Sequence, residues 1–380
     1  MSASRLLLLV VLALGALNGC SFAPTWPTTS IQPAPTLAHP GFEESLARHR
    51  VDGTAPWRLV VFGDQRALAD GEFQTLVGSI AQREQRTGSG SPLVAIVDTG
   101  DIVDDGRHAD QFAMLSEILE PLRTWPYLVA VGNHELGSDL QNEARANFVQ
   151  FMGDAPGPLF DRNRLWYRKD APGLRILFLD TNDWVYGPNE DQSPHRTRQL
   201  AWLSAQMSED FDGRTIVVMH HPIVISNKKH RGQAARMWSI RWNGEVLASM
   251  FARGGVDLVI TGHTHTYERY RLTSPDGGSF HLVNISGRPR DSFLWIGDGA
   301  RRARDIRGRE VEQLIRVGWR REDVQGWKIE QLDGMFDKNT EENQWAELTI
   351  EPDGPLEVEM FFLVDRGAGG YASRGKFTID

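Results

Sequence analysis

Tyr127-Leu128-Val129-Ala130-Val131-Gly132-Asn133-His134-Glu135 is the stretch that decides the fold. A short apolar run ends in a glycine, and three polar groups follow at once. That is the pattern of a buried strand emptying its C-terminal end into a loop that carries chemistry. It recurs along the chain. Residues 59–66 run Leu-Val-Val-Phe-Gly-Asp-Gln-Arg and 93–101 run Leu-Val-Ala-Ile-Val-Asp-Thr-Gly-Asp. Residues 176–180 (Ile-Leu-Phe-Leu-Asp), 216–221 (Ile-Val-Val-Met-His-His) and 256–265 (Val-Asp-Leu-Val-Ile-Thr-Gly-His-Thr-His) repeat it. Fully buried strands that finish in Asp, Asn or His build a metal site at one edge of a sheet.

Helical periods separate these strands. Residues 70–86 put Phe73, Leu76, Val77 and Ile80 on one stripe, and 108–122 give a second amphipathic helix that ends near Pro121. Three strand–helix repetitions predict αβ units with helices outside a sheet. Further helices are predicted at 141–150, 197–208 and about 243–253. Residues 152–173 read as loop, as do 181–195, where Trp184 and Tyr186 are candidates to face a substrate or to pack the loop. The loop 222–235 is basic, with Lys228, Lys229, His230 and Arg231. A hairpin is predicted from Arg269–Thr273 and Phe280–Ile285, turned by Pro275-Asp276-Gly277-Gly278. Strands are predicted at 319–330 and 345–363, whereas 291–318 has no readable period, so 291–330 is atypical of the rest. About ten strands of mixed order suggest an α/β fold of two packed sheets between helices. Five arginines between 301 and 309, with Asp305 and Glu310 nearby, read as a solvated helix face.

The side chains that end the strands are chemically alike. Asp64, Asp101, Asn133, His220, His263 and His265 each lie just beyond an apolar run, and Gly63, Gly100, Gly132 and Gly262 precede four of them. Glycine there lets the chain turn sharply and approach an ion. Carboxylates, imidazoles and one amide oxygen suit iron, zinc or manganese. A pair of ions about 3.5–4 Å apart, bridged by a carboxylate, activates water as a nucleophile. A lone Gly-Asp is usually a turn and a lone buried histidine a hydrogen-bonded core residue. Six such groups, all at strand ends, are a different case.

Gly63-Asp64, Gly100-Asp101, Gly132-Asn133-His134-Glu135, His220 and Gly262-His263-Thr264-His265 together resemble, in order, the five blocks of the calcineurin-like metallophosphoesterases. The resemblance covers about 59–270. It implies a four-layer αββα sandwich, two mixed sheets flanked by helices, around two divalent or mixed-valence metal ions. Asp101 would bridge the ions; Asn133, His220 and His263 would complete one site, and Asp64 and His265 would hold the other. His134 would contact phosphate or protonate the leaving oxygen, a task that suits an imidazole. The first block departs from the family's Asp-x-His, reading Asp64-Gln65-Arg66. Purple acid phosphatases also lack that histidine and use a tyrosine three residues beyond the bridging aspartate. Asp104 stands there, either a carboxylate ligand or a loop acid. Arg66 stays protonated and cannot ligate a metal. It either pairs with Asp101 or Asp104 or clamps a substrate phosphate. His221 is expected at the cavity rim as a substrate contact, His195 as a loop residue, and Asn182 and Asp183 as hydrogen-bond partners of a ligand histidine.

At the other end of the chain, residues 6–17 are apolar, Arg5 precedes them and Leu17-Asn18-Gly19-Cys20 follows. This reads as a secretion signal over 1–19. It resembles a bacterial lipoprotein signal, whose last cysteine carries the lipid. The apolar run is shorter than the roughly 20 residues of a membrane span. Cys20 is the single cysteine, so the body has no disulfide and no cysteine ligand. Ser21 after it favours, by the same resemblance, an outer-membrane anchor facing the periplasm or the cell surface. Residues 20–56, rich in Pro, Thr and Ala, are expected to be a lipidated tether, and 57–380 the phosphoesterase domain.

Net charge is −9 over the whole chain. That disfavours charge-driven binding of nucleic acid or of acidic lipid. The expected function is hydrolysis of a small phosphorylated substrate, a phosphomonoester or phosphodiester. The alternative is an envelope lipoprotein that binds or supports structure around a degenerate metal site, which the Arg66 departure keeps open.

Overall fold

The chain is described by a computed structural model that covers residues 33–67, 71–86, 90–137, 142–187, 193–225, 230–287, 304–305, 324–335, 344–365 and 370–380. Helix α1 (Phe42–His49) comes first. Strand β1 (Trp57–Phe62), α2 (Glu72–Arg86), β2 (Leu93–Asp98), α3 (Ala109–Leu119) and β3 (Tyr127–Val129) follow as the three predicted strand–helix units. Then come α4 (Asn133–Leu136), α5 (Asn142–Met152), β4 (Tyr167–Ala171), β5 (Gly173–Leu179), α6 (Asn182–Tyr186), α7 (Pro194–Ser208), β6 (Gly213–Met219) and α8 (Arg231–Ser239). A short pair, β7 (Arg241–Trp242) and β8 (Glu245–Val246), precedes α9 (Leu247–Arg253) and β9 (Leu258–Thr261). The remaining described elements are strands: β10 (Tyr267–Thr273), β11 (Ser279–Asn284), β12 (Arg304–Asp305), β13 (Lys328–Met335), β14 (Gln344–Ile350), β15 (Leu356–Asp365) and β16 (Gly370–Ile379).

Two mixed sheets face each other. One has the order β16-β15-β14-β1-β2-β3, the other β12-β13-β10-β11-β9-β6-β5-β4. Strands β1, β2 and β3 run parallel, as do β5, β6, β9 and β11, and the outer strands are antiparallel. The central strands are buried on both faces, which is why they read as unbroken apolar runs. Alternate residues serve alternate layers. Val61, Val97 and Leu128 from one sheet meet Ile176, Val218 and Ile260 from the other. Val60, Phe62 and Ile96 face outward under Phe73, Leu76 and Val77 of α2 and Phe112 and Leu115 of α3. On the far side Leu177, Val217 and Val259 lie under Leu200 and Leu203 of α7 and Phe251 of α9. The result is helix, sheet, sheet, helix, as predicted.

Several elements differ from the expectations. The stretch expected as tether up to residue 56 is docked from residue 33 onward. Phe42 is fully buried between the sheets, Ser45 Oγ donates to the Val94 carbonyl at 2.6 Å, and Leu37 N donates to the Phe151 carbonyl at 2.8 Å. Its Pro-rich composition concealed a few apolar anchors, Ala34, Leu37 and Phe42. The loop-rich 152–173 contains β4, and the basic loop is helical from 231. Helix α7 begins at Pro194, not 197, because Ser193 caps it by accepting from Arg196 N and Pro194 occupies the first turn. Arg304–Asp305, expected on a helix face, pair as a strand with Gln331 and Glu330. The rest of 291–323, Lys228 and Lys229, and residues 1–32 lie outside the described residues. Trp184 does not face a substrate: α6 turns it inward, where it is fully buried in the core under α7.

Candidate metal centre

The strands β1, β2, β3, β6 and β9 release their chains at one edge of the two sheets. The loops there are stitched together by backbone bonds, Asp64 N to the Gly100 carbonyl at 2.8 Å and Gly262 N to the His220 carbonyl at 3.0 Å. The peptides are sharply bent. Asp64, Arg66, Asp101, His263 and His265 have φ of 60°, 46°, 57°, 70° and 54°, the left-handed region that side chains disfavour. Backbone held in this form outside glycine marks functional loops. Gly132 permits a close approach of two ligand loops, since a Cβ there would strike the backbone nitrogen and carboxylate of Asp101.

Four polar atoms converge. His220 Nε2 lies 3.3 Å from Asp101 Oδ1, 3.2 Å from Asn133 Oδ1 and 3.2 Å from His263 Nδ1. The outer nitrogens define where the protons sit. His220 Nδ1 is 2.8 Å from the Thr99 carbonyl, which only accepts, so the hydrogen is there. His263 Nε2 is 2.7 Å from Gln233 Oε1, another acceptor. In their neutral forms both imidazoles therefore point lone pairs at two oxygens and at each other. Such a cluster needs a cation at its centre. Without one it draws in a proton. Burial lowers the His220 pKa, but the Asp101 carboxylate overrides it and lifts the group to about 9. Burial alone would raise Asp101, yet the His220, His134 and Arg66 charges hold it well below the usual range. The donor set thus fits the metal ions that the sequence implies.

A second grouping adjoins the first. Asp64, Asp101 and His220 each offer an atom within 4.8 Å of the others, and His265 Nε2 lies 3.9 Å from Asp64 Oδ1. The Asp64 carboxylate accepts from His263 N at 2.8 Å and from Ser286 Oγ at 2.7 Å, while Ser286 Oγ accepts from His265 N at 2.8 Å. All six predicted ligand-type residues therefore meet at one centre.

The remaining predicted residues divide. His134 donates from Nδ1 to the Asp104 carbonyl at 2.5 Å, which leaves Nε2 turned toward Asp101 Oδ2 at 3.8 Å. A quarter of its side chain is exposed, so it borders the opening. Arg66 Nη1 is 3.2 Å from Asp104 Oδ1 and Nη2 is 3.7 Å from Asp101 Oδ2. Asp104 thus turns its carboxylate to Arg66 and joins neither grouping. His221 is not at the rim but fully buried, a ring nitrogen within 4.8 Å of those of His220 and His263. Its Nδ1 meets Thr181 Oγ1 at 2.7 Å, and its Nε2 has no hydrogen-bond partner. Asn182 bonds no ligand histidine; its amide instead reaches the carbonyls of Val131 and Gly132, at 3.2 Å each.

Three residues were missed. Glu135, fully buried, accepts from Asp101 N (2.9 Å), Gly132 N (2.7 Å) and Val103 N (3.2 Å), pinning two ligand loops together. An acid closing an apolar strand block was its only signal. Gln233 takes the His263 and His230 nitrogens on one oxygen, at 2.7 Å each, and donates to Tyr186 Oη at 3.0 Å. Neither Gln233 nor Ser286 had any mark in the sequence.

A model of the calcineurin-like phosphoesterase family matches residues 68–267, over half of the chain, and the chain belongs to that family. Purple acid phosphatase 21 of Arabidopsis thaliana is 30% identical over 200 residues, 51% of this chain and 40% of that one. A probable cyclic nucleotide phosphodiesterase of Rhodococcus erythropolis is 27% identical over 214 residues, 54% of this chain and 64% of that protein. The chain thus spans less than two thirds of the length of these relatives. The structure of a purple acid phosphatase from yellow lupin seeds is similar in fold, with a TM-score of 0.55 and 17% identity over 86% of this chain and 54% of that one.

Proposed function

We propose that the chain hydrolyses phosphoric esters at a two-metal centre. The observation that carries this is the convergence of Asp101, Asn133 and His263 on one nitrogen of His220. In this reading Asn133, His220 and His263 would hold one ion and Asp64 and His265 the other, with Asp101 available to both. When bound, such ions supply an activated water and neutralise charge on the transferring phosphoryl group.

The protein's own groups do the rest. His134, its Nδ1 fixed by the Asp104 carbonyl, keeps Nε2 for the leaving oxygen and acts there as the proton donor. Arg66 presents a guanidinium beside the shared carboxylate, where it holds a phosphate oxygen while Asp104 holds Arg66. His221, with its free Nε2, is a further substrate or centre contact. The names of the relatives span monoester and diester substrates, and both classes are proposed here.

Purified protein is to be assayed for bound iron, zinc and manganese and for hydrolysis of aryl phosphate monoesters and diesters. Turnover that follows metal loading supports the proposal. A fully loaded protein that cleaves neither class overturns it and favours the binding lipoprotein.

The resemblance of the first 20 residues supports attachment to the outer membrane through lipidated Cys20. Among the described residues no helix is long and apolar enough to cross a membrane. Mass spectrometry of the mature N-terminus tests this, and an unacylated cysteine would rule it out.

A further inference from the structure

A second cluster of buried polar side chains adjoins the Asn133 loop, formed by residues with no part in the proposed chemistry. Asp180, at the end of β5, is fully buried, and Gln199 of α7 clamps its peptide, donating to its carbonyl at 2.7 Å and accepting from its nitrogen at 2.8 Å. One carboxylate oxygen, Oδ1, accepts from Asn182 N at 3.1 Å. The other, Oδ2, has no hydrogen-bond partner. His195 Nε2 of α7 lies 3.7 Å from it and Arg145 Nη2 of α5 lies 3.8 Å from it. Both ring nitrogens of His195 are also without partners, although its ring is packed edge-on against Trp166 at 4.8 Å.

Those separations exceed the roughly 3.2 Å reach of a hydrogen bond. They suit a water seated to one side of the three groups, within reach of each. A buried water makes about three hydrogen bonds, and this space offers an acceptor oxygen, a guanidinium donor and an imidazole nitrogen that donates or accepts. Leaving Asp180 Oδ2 and the His195 nitrogens unsatisfied would cost about 1–3 kcal/mol for a neutral group and more for a charge.

We propose that Asp180, Arg145 and His195 hold one buried water, and that Asn182 carries the geometry of this hub to the metal ligand Asn133. Asn182 is the link because its amide nitrogen touches Asp180 Oδ1 at 3.2 Å and the carbonyls of Val131 and Gly132, the two residues before Asn133. It is a positioning residue, since it meets neither ion nor substrate. The positioning half rests on the metal-centre reading; the water does not.

Two measurements test the two halves. A crystal structure of the metal-loaded protein, at a resolution that shows ordered solvent, is expected to place one water within hydrogen-bond distance of Asp180 Oδ2, His195 Nε2 and Arg145 Nη2. No density there overturns the water. Chelator-competition titration with Zn2+ is expected to show Asn182→Leu weakening one of the two ions by about 10- to 100-fold, the range for residues that orient ligands. The other ion should change little, and His195→Gln, which keeps a donor, should stay near wild type. Unchanged affinity for both ions in Asn182→Leu overturns the link. So does an equal loss at both together with a lower melting temperature of the metal-free protein, the mark of general destabilisation. Wild-type protein that takes up no ion sinks the metal-centre reading itself, and the water density then stands or falls alone.

Discussion

Arg66 is where this chain departs from its family's pattern, and its charge decides what the departure does. A guanidinium 3.7 Å from the Asp101 carboxylate repels a cation bound there and attracts a phosphate. Arg66→Ala is therefore expected to tighten the Asp64–His265 ion about tenfold, near the low end of what a unit charge contributes at such range. The same variant should raise KM with less effect on kcat. Equal metal affinity in the two proteins would show that Asp104 already neutralises it. His134→Ala should keep both ions and lose about 10²- to 10⁴-fold in turnover, the usual share of a positioned proton donor. Unchanged turnover would remove His134 from its role. The ligand-type residues were legible because each is a chemically marked group directly after an apolar run. The partners that orient them were not. Gln233 and Ser286 are unremarkable in sequence and acquire their roles from helices and loops far away in the chain.

At the scale of elements, the two loops after β2 and β3 are joined by Glu135. An amide in its place offers one acceptor atom where the carboxylate offers two. Glu135→Gln should leave at least one of Asp101 N, Gly132 N and Val103 N unpaired, a loss of about 1–3 kcal/mol by chemical denaturation. Metal affinity should fall with it, and unchanged stability would show that the loops hold themselves. Strand β11 offers a pH test remote from the centre. Burial, with Arg269 and Arg271 adding to it and Asp380 opposing, lowers the His281 pKa to about 4. The folded protein thus keeps this ring neutral down to about pH 4, while the unfolded chain protonates it near 6.5. Unfolding takes up a proton in that window, so stability declines as pH falls from 6.5 to 4. His281→Gln should show a smaller drop in urea midpoint over the same interval; identical drops would mean that the ring titrates normally. Elements with a pure period were readable, such as β1, β6, β9 and α2. Those with mixed patterns were not: β16 alternates glycine, serine and charge along a sheet margin, and α6 is a five-residue turn.

For the molecule as a whole, layering could be foreseen from the count and order of strands, but the sheet order could not, because β14 joins β1 from nearly 300 positions away in sequence. The described chain also begins its packing earlier than composition implies. Phe42 enters the space between the sheets beside Trp57 and Val94, and Lys169 pairs with Glu43 at 3.0 Å. Phe42→Ala is expected to destabilise the protein by about 3–5 kcal/mol, as for other buried aromatics. A loss under about 1 kcal/mol would restore the tether reading for this stretch. A recombinant domain started at residue 57 should for the same reason be less stable than one started at residue 33.

Five residues with side chains ring the centre in left-handed backbone that favours glycine. Each such residue costs on the order of 1–3 kcal/mol, so these loops are spring-loaded, and the strands that carry them supply the stability that keeps them bent.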